Sequence, residues 1–380
     1  MKILTKIFIG IFIFIIIYFS FNALTTNPNL LNESDSLTYH IPIAESILKG
    51  NILNPPNLSH GLGFYPAVGE VILSIFILLG IPLGFFNIVA IIILFFVLKI
   101  LSDEYGINKY VSNIFSVSVI TLNSIIRLIP NQTIDIWLLI FFSLALLFIK
   151  KFENEKLKSL LPLGLSLGLI IGVKYSGLVY LLILFLVYFK VIFKKINIKN
   201  LIYLFLPILT IGGFWYFRNY LLINNPFYPI NILGFTGSSD FQLVETYKPL
   251  LTSNGLYLFV EALISEYLIW VLIPIFLFIS KSKINKSLIV ISVLNFIPFL
   301  FFPSDFSRQI ITSNMRFLYV SIMPLILLCF ISVENTKFEK LLYILSLLSS
   351  ISILSQFNYY PKLILFWLTI FILIYTNHKK

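Results

Sequence analysis

Pro66-Ala67-Val68-Gly69-Glu70-Val71-Ile72-Leu73-Ser74-Ile75-Phe76-Ile77-Leu78-Leu79-Gly80-Ile81-Pro82 decides how this chain is threaded. The run from 66 to 79 opens on a proline, carries one carboxylate early, and is closed by Gly80-Ile81-Pro82. A helix needs about 20 apolar residues to cross the ~30 Å hydrocarbon core of a bilayer. This run is shorter, so a re-entrant or shallow helix is expected. Counting it as a full span would reverse the sidedness of everything after it, and the lysines decide between the two.

The chain of 380 residues is 59% hydrophobic and 11% charged, with a mean hydropathy of +0.98. No soluble domain of this length has that balance. Apolar runs recur along the whole chain without the alternation of a β-barrel, and lipid requires every backbone group to bond internally. Helices are what remains. The one cysteine, Cys329, excludes a disulfide within the chain and a metal site built from cysteines.

The net charge of +11 is carried by lysines in short connections. They cluster at Lys2 and Lys6, at Lys150, Lys151, Lys156 and Lys158, and at Lys190, Lys194, Lys195 and Lys199. Further clusters are Lys281, Lys283 and Lys286, then Lys337 and Lys340, then Lys379 and Lys380. One threading puts all of them on the inner face, which satisfies the positive-inside rule. The basic balance is therefore a topology signal and implies no nucleic-acid partner.

In that threading residues 7–24 form a retained signal anchor, since two lysines precede the run and no small-residue cleavage site follows. An outer loop covers 25–66. Spans follow near 84–101, 111–129, 135–150, 159–173, 176–193 and 200–222, then an outer loop at 223–255. Later spans lie near 256–279, 287–302, 315–332, 341–355 and 361–376. The expected fold class is all-α: a polytopic transmembrane helical bundle of about 12 spans plus a re-entrant or juxtamembrane helix. Residues 1–380 form a single integral membrane domain of the cell membrane, with a cytoplasmic N-terminus.

The outer face then collects groups that lipid has no use for. Asn32-Glu33-Ser34-Asp35-Ser36-Leu37-Thr38-Tyr39-His40-Ile41-Pro42 directly follows the first span. Ionisable groups at a membrane boundary serve chemistry or recognition by default. Glu70 joins them from the re-entrant run, Asp135 follows the Pro130-Asn131-Gln132 turn, and Lys174 sits at a hairpin tip. All four arginines, Arg127, Arg218, Arg308 and Arg316, map to outer helix ends or loops. Arginine's planar fork suits phosphate, so the bias points to an anionic ligand on that face. Each basic residue has an alternative as an interfacial anchor whose head group reaches for the lipid surface.

Two segments are expected to be scaffold. Pro42–Lys49 reads as a short amphipathic helix ended by Gly50, with Ile43, Ile47 and Leu48 on its apolar side. Gly164, Gly168 and Gly172 line one helix face at four-residue spacing, as close helix packing in lipid requires.

The series Asp35-Ser36, Tyr39-His40, Pro42, Ala44, Tyr65-Pro66 and Glu70 resembles the first loop of the GT-C superfamily of membrane glycosyltransferases. Relatives include protein O-mannosyltransferases and lipid A aminoarabinose transferases. Further matches follow in the same order: Asp135 opening a helix, Gly172-Val173-Lys174-Tyr175-Ser176-Gly177, Trp215-Tyr216-Phe217-Arg218-Asn219-Tyr220, Asn225-Pro226-Phe227-Tyr228-Pro229, and Arg316-Phe317 ahead of Pro324. The resemblance covers roughly residues 1–330, and the ordered series is more specific than any one motif. Two departures stand out. Many relatives have Asp-Glu where this chain has Asp35-Ser36, and no large soluble domain follows within these 380 residues.

The resemblance implies an inverting transfer of a sugar from a polyprenyl-phosphate donor to a glycan, lipid or protein acceptor at the extracytoplasmic face. It implies Asp35 as general base, Asp135 as a second acidic group, and Tyr39, His40, Glu70, Lys174, Arg218 and Arg316 as substrate-binding residues. Residues 1–222 would form the catalytic module and 223–380 an outer loop with C-terminal helices. Asp35 and Asp135 could share a divalent metal, although no third ligand beyond Glu70 or His40 is in sight; no other cofactor is implied. As alternatives, Asp35 caps the short helix it precedes and Asp135 stabilises a helix start. A transporter or flippase for lipid-linked sugars is the competing class, but it should show internal repeats, or broken helices with charges near the midplane. An O-antigen polymerase or ligase would place its chief polar loop late in the chain.

Overall fold

A computed structural model describes residues 1–25, 34–154, 157–195, 197–238, 253–280, 285–299, 308–336, 338–354 and 359–378. The loop residues 26–33 and 239–252 lie outside it, as do Lys156, Lys281, Lys283, Lys337, Lys379 and Lys380 of the lysine clusters. The described residues are helical nearly throughout, with no strand among them beyond an isolated bridge between Ile232 and Phe235.

Against the expected count of about twelve, six helices among the described residues have the length and composition to cross a bilayer: Lys2–Thr25, Leu83–Glu104, Ser176–Phe193, Asn200–Ile223, Asn254–Phe278 and Ile311–Val333. Shorter apolar helices accompany them at Val68–Leu78, Leu157–Val173, Lys286–Phe299 and Lys362–Ile372. One expected span, 111–129, is interrupted. Its helix stops at Ile120, Thr121 bonds back to the Val117 carbonyl, and Leu122 is extended before a single turn at Asn123–Ile126. The decisive run at 66–79 forms Val68–Leu78, 11 residues. At 1.5 Å per residue that is ~16 Å, about half the hydrocarbon core.

The chain divides into two compact units, each assembled from separated segments. One comprises Met1–Phe14, Leu98–Arg127 and Glu245–Lys380; the other comprises Ile15–Val97 and Leu128–Val244. In the first, Tyr319–Val333 is buried along nearly its whole length against Ile273–Ser280 and Lys286–Phe299. The Asn295 amide donates to the Val320 carbonyl there, at 3.3 Å.

The second unit is organised by Leu160–Val173, which packs against Asp135–Glu153, Ser176–Lys195 and the Ile198–Gly213 stretch. Its glycines explain the approach. A Cβ on Gly164 would lie 2.5 Å from the Leu204 carbonyl oxygen, and one on Gly168 would lie 2.6 Å from that of Pro207. One on Gly172 would meet Val68 at 2.5 Å, so the ladder also seats the start of the short helix. Pro207 has no N–H to give, and the backbone beyond it widens into a π turn, Ile208–Gly213. Gly168→Leu should therefore fail to pack. Backbone cannot swing aside as a flexible side chain can, so a loss of at least the ~1–3 kcal/mol typical of overpacking is expected. A thermal unfolding curve of the detergent-solubilised protein, compared with the same change at exposed Gly10, reads it.

Candidate active site

Ser34 and Asp35 begin a helical turn that continues as a π turn over Ser36–His40 and then as the helix Ile41–Leu48. That helix ends, as expected, at Gly50, whose φ is +80°. Ile43 and Ala44 are buried, and the helix packs on Val68–Leu78. The first loop is thus held against the short helix that carries Glu70.

His40 and Glu70 meet there. His40 Nδ1 lies 2.6 Å from Glu70 Oε1, and each side chain is 1% exposed. The second carboxylate oxygen, Oε2, is buried with no hydrogen-bond partner. Tyr39 is buried beside them, its ring 4.0 Å from the His40 ring and 6.0 Å from that of Tyr65.

Asp35 is half-buried, and the backbone next to it is pinned. The Ser36 hydroxyl accepts from the Gln132 N–H at 3.0 Å, which joins the first loop to the turn ahead of Asp135. That turn is braced from inside. The Asn87 amide donates to carbonyls at Leu128, Asn131 and Thr133, and the Gln132 amide donates to Leu83. A Cβ on Gly69 would lie 2.2 Å from Ile134, so the short helix rests on the same turn. Asp135 then opens the helix Asp135–Glu153 and pairs with Lys174, Oδ1 to Nζ 2.9 Å; Asp135 is 1% exposed and Lys174 18%. Lys174 can stand there because the helix Leu160–Val173 ends one residue before it and its own backbone is extended.

Arg218 turns its fork on the protein. It is 5% exposed and donates to the Ile52 and Phe64 carbonyls and to Asn219 Oδ1, with its guanidinium 5.0 Å from the Trp215 ring centre. Asn219 Nδ2 also donates to the Phe64 carbonyl, at 2.8 Å, and to the Tyr175 hydroxyl, at 3.0 Å. Tyr175 in turn donates to the Tyr228 carbonyl at 2.6 Å. These groups clamp the first loop to the 225–230 turn. Tyr39, Tyr65, Tyr175 and Tyr216 form a run of edge-to-face rings. Burial, and then the Asp35 charge, hold the Tyr65 phenol well above its ordinary pKa. Burial does the same for Tyr175, reinforced by Tyr65 and opposed by Arg218 and the Asn219 hydrogen bond. Both phenols are therefore donors at neutral pH.

The second unit thus gathers Asp35, Tyr39, His40, Glu70, Asp135, Lys174 and Arg218. Arg316 belongs to the first unit, on the turn Met315–Leu318, with its guanidinium 5.1 Å from the Phe317 ring centre. Arg127 belongs there too, donating to the Thr312 and Ser313 carbonyls and paired with Glu266, Nε to Oε2 3.3 Å. Asn123 supplies Glu266 with a further hydrogen bond of 2.8 Å. Glu266 went unnoticed in the sequence, although a carboxylate inside an apolar run was the available signal. Asn87 carried the same signal at the start of its span.

A metal does not fit these carboxylates as they stand. Asp135 is bound by an ammonium and Glu70 by an imidazole, and among the described residues no three His, Cys, Asp or Glu side chains gather as a ligand set.

No protein-family model and no curated protein matches the sequence. Among solved structures, the chain is similar to the crystal structure of ArnT from Cupriavidus metallidurans bound to undecaprenyl phosphate. The likeness has a TM-score of 0.63 and 11% sequence identity, and covers 96% of this chain and 75% of that one. Identity this low establishes a shared fold and nothing finer. The chain is an integral membrane protein that shares the helical fold of that structure.

Proposed function

We propose that this protein is an inverting glycosyltransferase that moves a sugar from a polyprenyl-phosphate donor to an acceptor at the outer membrane face. One observation carries the reading. A carboxylate on the first loop, Asp35, is anchored through Ser36 to the turn that presents the Asp135–Lys174 pair, in a chain with the fold of ArnT.

The chemistry is a single displacement. The acceptor hydroxyl oxygen attacks the anomeric carbon from the face opposite the phosphate, and the bond from that carbon to the phosphate oxygen breaks. The phosphate departs with the electron pair, and configuration inverts. Asp35 takes the proton of the attacking hydroxyl. Lys174 provides the charge that the departing phosphate needs, and Asp135 holds that ammonium in place. Tyr39, His40 and Glu70 form the buried polar cluster beside which the sugar is held. Arg218 acts through the loop carbonyls it holds, as a positioning residue.

These groups come from within 1–222, which we assign as the catalytic module, with 223–380 as the remainder. The lysine distribution supports an extracytoplasmic site and a cytoplasmic N-terminus.

The test is transfer of radiolabelled sugar from a polyprenyl-phosphate donor in membranes that carry the protein, against membranes that lack it. Transfer above background is expected, and equal counts across several donor sugars would overturn the reading. Sidedness is read in the same membranes with an impermeant thiol reagent. Cysteines introduced at exposed positions 37 and 190 should label from opposite faces, and labelling from one face would invert the topology. The native Cys329 is buried and gives little background.

A further inference from the structure

A concave feature lies in the second unit, lined by none of the residues of the His40–Glu70 and Asp135–Lys174 pairs. Asn57, Leu58, Ser59, His60, Gly61 and Phe64 face Tyr228 and Ser238 across a recess of about 410 Å³. That volume lies within the ~300–1,000 Å³ range of small-ligand sites.

Its walls are built rather than incidental. His60 holds a φ of +55°, in the left-handed region a side chain seldom adopts, and Gly61 follows at +71°. A Cβ on Gly61 would lie 2.7 Å from the Tyr228 ring, so this wall closes directly on the opposite one. The opposite wall is braced too. Asn225 donates to the Ile230 and Thr236 carbonyls, and the Ser238 N–H donates to the Pro229 carbonyl at 3.0 Å. The Tyr175–Asn219–Arg218 clamp holds the Phe64 and Tyr228 carbonyls, so the recess is mechanically continuous with Lys174's neighbour.

The lining chemistry selects the ligand class. An amide, two hydroxyls, an imidazole and a phenol-bearing ring surround the space, with the Phe64 and Tyr228 rings edge to face at 5.1 Å. Among the described residues, no Lys, Arg, Asp or Glu lines it. These described lining residues offer a phosphate or a metal ion no counter-charge. Neutral groups that both donate and accept, set beside aromatic rings, match a polyhydroxylated ligand whose C–H faces lie on rings and whose hydroxyls bond around them.

We infer that this recess binds carbohydrate, and that it holds the glycan part of the acceptor; the second half of the inference rests on the transferase reading. Its binding half stands without that reading.

The test uses full-length protein in a detergent without a sugar head group. Saturation-transfer NMR is recorded with methyl β-glucoside, methyl α-mannoside and N-acetylglucosamine, and phosphorus line widths are recorded with inorganic phosphate. At least one sugar should be saturated by the wild-type protein. Its apparent affinity should fall about tenfold in Asn57→Ala/His60→Gly/Ser238→Ala, the scale of one or two lost hydrogen bonds. Asn57 and His60 are exposed, and glycine suits a φ of +55°, so the fold should survive. Where the triple variant loses its unfolding transition, His60→Gly alone is read, with a fall of about threefold expected. No saturation in the wild-type protein, or saturation unchanged by the variants, overturns the inference. Phosphate broadening that the variants abolish also overturns it, in favour of an anion site. Sugar binding as expected without any transfer would sink the transferase reading alone. Transfer without sugar binding would sink this inference alone.

Discussion

Asp35→Asn is expected to lower sugar transfer by about 10²–10⁴-fold while the protein stays folded, the range that a positioned general base contributes. Asparagine keeps the shape of the side chain but cannot take a proton at neutral pH. The anchoring of the loop rests on the neighbouring Ser36 hydroxyl and the Gln132 N–H, which the change does not touch. Donor binding should therefore survive while turnover is lost, so the loss appears in kcat rather than in KM for the donor. Initial rates in proteoliposomes, with the thermal midpoint as a control for folding, measure it. Undiminished turnover removes Asp35 from the base role, whatever the fate of the fold.

Lys174→Met should cost both stability and activity, and the two losses can be separated. The Asp135 carboxylate is 1% exposed and its ion pair is with Lys174. Breaking a buried pair by removing one partner costs about 3–5 kcal/mol, because the other charge is left uncompensated. The 18% exposure of Lys174 puts the expectation at the lower end of that range. Replacing both partners, Asp135→Leu with Lys174→Met, removes the orphaned charge and should recover most of the thermal midpoint. Transfer should not return, because the phosphate still lacks its counter-charge. If the double variant regains activity along with stability, the pair is structural and Lys174 is no phosphate ligand.

The legible part of this chain has a common physical basis. Hydropathy adds up residue by residue, so the apolar runs and the lysine-marked connections announce membrane helices before any packing is known. Val68–Leu78 was readable as too short to span because its length against the bilayer is a local property. The glycine ladder was readable because helical spacing alone puts Gly164, Gly168 and Gly172 on one face, and backbone carbonyls from 203–211 now occupy it.

Pairings were not legible. Asp135 and Lys174 are 39 positions apart, and His40 and Glu70 are 30 apart. Sequence reasoning named all four but gave them separate roles, Asp135 as a second acidic group and the other three as substrate-binding residues. Arg218 shows the same limit. Its charge and place pointed to phosphate, yet its donors close on carbonyls at 52 and 64, more than a hundred residues upstream. A backbone carbonyl has no sequence signature, since every residue carries one. Nor does Glu266 announce its partner Arg127, which the fold brings from a different segment of the first unit.

By itself the sequence determined the solvent, the helical class and the short list of groups that lipid would reject, because these follow from composition and period. Only the tertiary structure decided which charges cancel and which loops are clamped together. That choice depends on how far each helix is rotated about its axis and where it stops, as Leu160–Val173 does just before Lys174. Hydrophobic runs that are apolar all round leave that rotation unspecified. Glycine contacts, Asn87 and the Arg218 fork supply it instead.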